Sequence, residues 1–227
     1  GGGFDAVSVS GGSSDVEITG NTIQGKARNG VRVRDPFGGG PNRGVRVTGN
    51  SITGSGEAAV HVLPSSLLGG LVVSDNRIAG NPVGILNEDD DPLQAENGWW
   101  GCNAGPGAPG CDTVLATGGG GPIDASPWRR LSVTAQPGSV GVGGQLASVT
   151  ADVRRNSDGV DLGTRLPFPQ VPVAFNAIGG TVTPTGTLVA GAAAATFASS
   201  AATGAASVSA TLDAATVTTA MTIVSLA

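Results

Sequence analysis

One ten-residue pattern recurs three times in the first half of this chain. It reads VEITGNTIQG at residues 16–25, VRVTGNSITG at residues 45–54 and LVVSDNRIAG at residues 71–80. The repeats lie 29, 26 and 22 residues apart when they are aligned on four apolar residues, Ile23, Ile52, Ile78 and Trp100. A period of about 20–30 residues indicates a solenoid, in which each repeat buries its apolar face only against its neighbours.

A second apolar pair follows each isoleucine, namely Val31 with Val33, Val60 with Val62, and Ile85 with Leu86. Two or three short strands per turn, joined by glycine-rich corners, fit a parallel β-solenoid in which Val and Ile stack along the axis. One corner position is occupied by Asn21, Asn50 and Asn76. Stacked asparagines can hydrogen-bond along the axis and tolerate the left-handed backbone of a corner.

The unit Val-x-Val-x-Gly-Asn-x-Ile-x-Gly resembles the turns of right-handed parallel β-helix proteins, the superfamily of pectin lyases and many bacterial surface proteins. Residues 95–101 (AENGWWG), followed by Gly105-Pro106 and by residues 126–128 (SPW), resemble the terminal turn and exit segment of secreted bacterial β-helix proteins. Gly98 stands there in place of the corner asparagine, so we expect the amide ladder to end. The resemblance implies an all-β chain that begins with a short right-handed parallel β-helix of about four turns over residues 1–128.

Val7 and Val9 match the second strand of an earlier turn whose first strand is missing. We therefore expect the solenoid to start in mid-turn. An open end exposes backbone hydrogen-bonding groups and an apolar cross-section, so we expect either more chain or a docked partner there.

Residues 129–227 have a different pattern, with alternating apolar segments such as LSVTA at 131–135 and ASVTADV at 147–153. Turn residues such as Gly179-Gly180 separate them, which predicts an antiparallel β-sandwich. This region resembles the bacterial Ig-like repeats of invasin-type surface proteins, on the pattern VAFNAIGGTV at 173–182 and ASVSA at 206–210. The resemblance implies a non-catalytic spacer or interaction module.

The formal net charge of -5 argues against a general nucleic-acid binder, which carries a basic excess. The most apolar stretch, residues 187–212, is interrupted by Ser, Thr and Gly and cannot supply the ~20 continuous apolar residues of a membrane span. The first residues lack the basic and apolar regions of a signal peptide, so we expect a mature product or a fragment.

Cys102 and Cys111 flank a loop rich in Gly and Pro. Neither belongs to a CxxC pair, and with a single His in the chain a zinc site has no ligand set. A disulfide that closes this loop is the favoured interpretation, and it implies an oxidising, extracytoplasmic compartment. The alternative is two free thiols in a cytosolic protein.

Basic residues cluster in the second and third turns. The candidate binding patch consists of Arg28, Arg32, Arg34, Arg43 and Arg46. Alternation with inward valines places Arg32, Arg34 and Arg46 on the outer surface. The resemblance to pectin-lyase-like enzymes implies an acidic-polysaccharide site, with an arginine as base and calcium to hold uronates. A solvated face or a contact with an acidic partner is favoured instead, because no Asp cluster lies beside the arginines in the sequence.

An acidic corner supplies the weak calcium candidates Asp89, Asp90 and Asp91. Their spacing matches neither an EF-hand nor a calcium-binding β-roll repeat, so a charged, solvated corner is favoured. His61 lies between inward valines and no second His or nucleophile motif accompanies it, so no catalytic residue is assigned. Calcium is the one cofactor left open.

These features favour a non-catalytic extracellular structural or adhesive surface protein, with a self-assembling filament or stalk subunit as its more specific form. The expected partners are further copies of the chain or other surface proteins, with polysaccharide as a further option and no nucleic acid. The alternative is a lyase-like or glycan-binding β-helix fragment that acts on acidic polysaccharide.

Overall fold

The computed structural model describes residues 4–36, 38–164 and 168–225. The chain divides into two compact units, one over Gly1–Arg129 with Pro167–Pro169 and the other over Arg130–Leu166 and Gln170–Ala227. The described residues form strands and turns, without a helix. Accordingly, no described segment is a helix long and apolar enough to cross a membrane.

The first unit contains thirteen short strands, β1 to β13. In chain order they are Val7–Ser10, Glu17–Thr19, Thr22–Gln24, Val31–Arg34, Val45–Thr48, Ser51–Thr53, Ala58–Val62, Leu71–Val72, Arg77–Ala79, Val83–Asn87, Leu93–Gln94, Val114–Ala116 and Ile123–Asp124.

These strands form three parallel sheets. Sheet A has the order β1-β4-β7-β10-β12, sheet B the order β13-β11-β8-β5-β2, and sheet C the order β3-β6-β9. Each strand pairs with the strand one turn further along the chain, which is the topology of a β-solenoid. The predicted parallel solenoid of about four turns is confirmed.

The register of the sheets follows the alignment of the sequence repeats. Ile23 pairs with Ile52, and Ile52 pairs with Ile78. A β-bridge between Arg77 and Trp99 continues this register, so Trp100 occupies the position equivalent to Ile78 in the following turn. The first segment of each repeat is split into two strands, because the Gly-Asn corner falls in its middle. Val7 pairs with Val31, which confirms that β1 belongs to an earlier turn.

The inward side chains stack into one apolar core. Val33, Val60, Ile52 and Ile85 are fully buried within it, and Trp100 belongs to the same cluster. Burial of each such aliphatic side chain contributes about 1.5–3 kcal/mol, and repetition along the axis makes this the main stabilising contribution. Because neighbouring turns supply most of the contacts, one turn alone could not be stable.

The predicted asparagine ladder is present at the corner between β2 and β3 and its equivalents. Asn21 donates from Nδ2 to Asn50 Oδ1 at 3.0 Å, and Asn50 donates to Asn76 Oδ1 at 3.1 Å. The left-handed backbone falls on the preceding residue, with φ of 67° at Gly20 and 59° at Asp75. The asparagines are therefore ladder residues, and the left-handed backbone that the corner needs is supplied by the residue before each of them.

Nine strands, β14 to β22, form the second unit. They are Arg129–Gln136, Ser139–Gly141, Leu146–Asn156, Pro172–Ile178, Gly180–Val182, Thr185–Thr187, Ala192–Ser199, Gly204–Leu212 and Ala215–Val224.

The nine strands form two sheets, with orders β14-β16-β20-β18 and β15-β22-β21-β17-β19. Within them β16, β18 and β20 pair antiparallel, as do β17, β19, β21 and β22. Alternate residues are buried, for example Val149 and Phe197 in one sheet and Phe175 and Val208 in the other. The predicted Ig-like antiparallel sandwich is confirmed as the fold of this unit.

Candidate binding surfaces of the solenoid

The basic residues of the predicted patch lie on more than one face of the solenoid. Arg32 and Arg34 belong to β4 in sheet A, whereas Arg46 belongs to β5 in sheet B. Arg43 precedes β5 and pairs through its backbone with Ser14. The five arginines are thus neighbours in sequence but are distributed over different surfaces.

Three of these arginines contact a residue of an adjacent turn. Arg28 Nε lies 3.4 Å from Glu57 Oε1, and Arg32 Nη1 lies 3.7 Å from Asp5 Oδ2. Arg34 Nε donates to Ser8 Oγ at 3.1 Å. The charges of Arg28 and Arg32 are therefore partly neutralised within the protein, and all three side chains link successive turns.

A histidine that the sequence left without a role lies beside Arg32. His61 is the register partner of Arg32 in sheet A, and its Nε2 lies 3.0 Å from Glu88 Oε2. Its side chain is on the outer face as predicted, but only 12% of it is exposed. The contact was not predicted, although Glu88 directly follows β10, which pairs with the strand of His61.

Arg46 lies at one end of a shallow groove of about 380 Å³ on the outer surface of sheet B. Its outward register partners in successive turns are Val72, Gln94 and Asp124. With strands about 4.8 Å apart, three steps separate Arg46 from Asp124, or about 14 Å. The groove therefore presents a cation, a methyl surface, an amide and a carboxylate in a line parallel to the solenoid axis.

Small corner residues keep this groove open. Gly44, Gly69 and Gly70 precede their strands and have positive φ, and Gly70 has no room for a Cβ, which would lie 2.7 Å from Pro92 O. Within the described residues the side chain of Arg46 makes no hydrogen bond or ion pair. Its nearest charged register partner is Glu17. Arg46 is therefore exposed and able to contact a ligand.

The acidic corner serves the backbone. Asp89 is fully buried, and its Oδ2 accepts hydrogen bonds from the backbone N–H of Ser66 at 2.6 Å and of Leu67 at 3.0 Å. Asp91 Oδ2 accepts one from Gly69 N–H at 2.9 Å, whereas Asp90 is exposed. Among the described residues, no group of three or more potential ligands is arranged to hold a metal ion.

Further corner ladders were missed by the sequence analysis. Asn81 donates from Nδ2 to Asp112 Oδ2 at 2.6 Å, and its Oδ1 accepts from Ser55 N–H at 2.8 Å. Asn42 donates to Ser66 O at 2.8 Å in the same axial manner. Ser55 and Asn81 each lie three residues after the aligned isoleucine of their repeat. Asn42 and Asp112 lie in inter-strand segments of unequal length, which do not align in the sequence. The repeated polar residue at a glycine-rich corner was the available signal.

The predicted disulfide joins Cys102 to Cys111, whose Cα atoms are 5.0 Å apart. It closes the loop that follows Trp99 and Trp100, both fully buried. Trp128 donates from Nε1 to Asn103 O at 3.1 Å, so the exit segment also binds this loop. The tryptophans are structural residues of the last turn.

Residues 5–98 match the family model described as "Right handed beta helix region". This segment is a right-handed β-helix. The match covers the three sequence repeats, and the sheets continue the same coil beyond it to β13. The comparison with curated proteins found no match.

Solved structures with local similarity include a glycosyl hydrolase family 2 member from Bacteroides cellulosilyticus, at 15% identity and a TM-score of 0.37. That match covers 44% of this chain and 15% of the other. The D00-D0 domain of intimin matches at 27% identity and a TM-score of 0.32, over 49% of this chain and 53% of the other. At such TM-scores neither match carries an argument about the first or the second unit.

Proposed function

We propose that this chain is a non-catalytic structural or adhesive part of an extracellular surface protein. The observation that carries the proposal is the use of outward polar side chains as links between turns. Arg28, Arg32 and Arg34 contact Glu57, Asp5 and Ser8 respectively. Side chains committed to neighbouring turns stiffen the β-helix, whereas a catalytic arginine must reach a substrate.

Exposed contacts of this kind, such as that of Arg28 with Glu57, each contribute only about 0–1 kcal/mol. Their effect on the β-helix comes from repetition, because the asparagine ladder and the sheet hydrogen bonds run in the same axial direction. A repeat protein whose turns contact only their neighbours forms an extended surface rather than a closed pocket. Such a surface suits a stalk, coat or adhesive module.

The Cys102–Cys111 disulfide supports the extracellular part of the proposal. Disulfides persist in secreted and surface-exposed proteins and are rare in the cytosol. Mass spectrometry of the protein isolated from its natural source, with free thiols blocked at lysis, tests this directly. An oxidised pair is expected, and two blocked thiols would contradict an extracellular location.

The test of the function compares adhesion with catalysis. The chain, coupled to beads, is expected to retain whole cells or cell-envelope fragments of its source organism, and beads that carry the heat-denatured chain serve as the control. The same preparation should release no unsaturated uronate from polygalacturonate, with or without calcium. Product release that is lost in Arg32→Ala would overturn the proposal in favour of a lyase.

A second candidate, non-catalytic glycan binding, is favoured by the groove along sheet B. Arg46, Gln94 and Asp124 are the polar groups that would contact an extended saccharide there. Affinity electrophoresis in gels that contain polygalacturonate tests this candidate. Retardation that is lost in Arg46→Ala but kept in Arg43→Ala, an exposed arginine outside the groove, would support it, and equal mobility of all three proteins would reject it.

A further inference from the structure

The outer face of the sheet β15-β22-β21-β17-β19 carries no charged residue in its strands. Its outward residues are mostly Ser, Thr and Ala, among them Ser207, Ser209, Thr211, Thr216 and Thr218. After Arg165 the only charged residue of the chain is Asp213, which lies in the turn between β21 and β22. Ordinary protein surfaces are about one-quarter to one-third charged, so this face is unusual.

The other sheet of the same unit provides an internal comparison. Its outward residues include Arg130 on β14 and the bonded pair Asp152 and Arg154 on β16. The two outer faces belong to the same sandwich, yet only one of them lacks charges in its strands. The lack of charge is therefore a property of one face and not of the whole unit.

The strand register arranges the hydroxyl groups of the neutral face in rows. Asn176, Ser209 and Thr218 lie side by side in one row, and Ala174, Thr211 and Thr216 form the next. The hydroxyl groups of Thr211 and Thr216 form a hydrogen bond with an oxygen–oxygen distance of 2.9 Å. Neighbouring strands are about 4.8 Å apart and successive rows about 6.8 Å, so hydroxyl and methyl groups are regularly spaced over the face.

We infer that this neutral face is a self-association surface, on which a second copy of the chain docks face to face. A two-fold contact requires a surface that is complementary to itself. Hydroxyl groups meet that requirement because each can donate and accept a hydrogen bond, and a face without charges brings no like charges together. Threonine side chains also lose little rotamer freedom on contact, because β-branching already restricts them.

Ile178 gives this contact an apolar anchor. It is 69% exposed and borders a small depression of about 110 Å³ with Ser207, Ser209 and Thr218. An exposed isoleucine beside a depression on the same face can insert into the equivalent depression of the second copy. No aromatic ring lies among the outward residues of these strands, so the stacking contacts that favour a sugar ligand are not offered by this face.

The size of the face sets the expected strength. Five strands and about four rows span roughly 20 by 20 Å, so a face-to-face pair would bury roughly 800–1,000 Å² in total. Stable interfaces bury about 1,200–2,000 Å², so this contact would be weak and reversible. A weak contact becomes effective when many copies are held close together on one surface. The inference thus deepens the proposed structural role by naming the interface.

Sedimentation equilibrium of the whole chain tests the inference. The mass should rise from 22.0 kDa toward twice that value at concentrations of about 10 µM to 1 mM, and the rise should not weaken with added salt. Thr218→Lys, which places like charges in the contact, should weaken association at least about ten-fold. The matched control Thr196→Lys, an exposed threonine of the opposite sheet, should associate as the wild type does.

Ser209→Lys serves as a second variant if Thr218→Lys does not fold, which circular dichroism would detect. A wild type that stays monomeric, association lost equally in Thr196→Lys, or association that disappears at high salt would each overturn the inference. Loss of association at high salt would indicate that the copies associate through oppositely charged residues outside the neutral face. The outcome is separate from the test of function, since a lyase activity would overturn the proposed role without affecting the measured mass.

Discussion

Asn50 donates to Oδ1 of Asn76 twice, from its backbone N–H at 2.8 Å and from its side-chain Nδ2 at 3.1 Å. The same amide group donates to Ile18 O at 2.7 Å, and its own Oδ1 accepts from Asn21. Asn50 therefore connects three turns of the β-helix through one fully buried side chain. This is why a polar residue recurs within an apolar pattern.

Replacement of the central ladder residue should destabilise the β-helix. Asn50→Ala leaves buried donors and acceptors without partners, each at about 1–3 kcal/mol, so we expect a loss of about 2–4 kcal/mol in the free energy of unfolding. Urea denaturation followed by tryptophan fluorescence measures this, because the three tryptophans, residues 99, 100 and 128, all lie in the first unit. Asn21→Ala, at the exposed end of the ladder, should lose less than about 1 kcal/mol, and equal losses would contradict the ladder's role.

Asp89 should prove to be a structural acceptor rather than a calcium ligand. Its Oδ1 accepts from Asp91 N–H at 3.0 Å while its Oδ2 accepts from Ser66 and Leu67. In Asp89→Asn one carboxylate oxygen is replaced by an NH₂ group, which cannot accept the hydrogen bonds of the backbone N–H groups that face it. We expect a loss of about 1–3 kcal/mol in the free energy of unfolding. Asp90→Asn, at an exposed position, is the control and should be near neutral.

Calcium should leave the urea midpoint of the wild type unchanged, because the oxygens of Asp89 already accept backbone hydrogen bonds. Denaturation in millimolar calcium and in a chelator would check this. A higher midpoint in calcium that Asp89→Asn abolishes would establish the metal site instead.

The sequence was sufficient to predict the coil and its register. An isoleucine recurs at positions 23, 52 and 78 because these side chains stack on one another in the core. Equivalent positions in successive turns have the same surroundings and therefore favour the same residue type. The sandwich was predictable for a related reason, since alternate residues face its interior. Both predictions rest on burial, which acts on every turn or strand in the same way.

The candidate sites were less predictable, because they depend on segments of unequal length. Asn81 meets Asp112 across 31 residues, because the segment between Trp100 and β12 is longer than the segment between β9 and β10. Arg34 and Arg46 show the opposite case. They lie only 12 positions apart in the sequence, which suggested a single patch, but they belong to different sheets. A corner between them turns the chain onto another face.

Removal of the disulfide should lower the stability of the last turn. In the chain-entropy account, a crosslink over 9 residues of separation contributes about 2–3 kcal/mol. We expect the double variant Cys102→Ser with Cys111→Ser to lose about that amount in urea denaturation. Reductant should lower the midpoint of the wild type to a similar extent and leave the double variant unchanged; a wild type that does not respond to reductant under unfolding conditions would contradict a disulfide.

Gly30 should tolerate no side chain, because the next turn of the β-helix approaches it closely. A Cβ there would lie 2.4 Å from Ile52 Cγ2 and 2.7 Å from the backbone oxygen of Ala59. Gly30→Ala therefore forces the core apart, and we expect a loss of about 1–3 kcal/mol in the free energy of unfolding, read from the same tryptophan signal. The control is Gly138→Ala, where a Cβ meets nothing within 4 Å and φ is not in the left-handed region. Its unfolding is followed by circular dichroism, because the tryptophans lie in the other unit. If Gly30→Ala were as stable as that control, the tight contact between turns at this corner would be wrong.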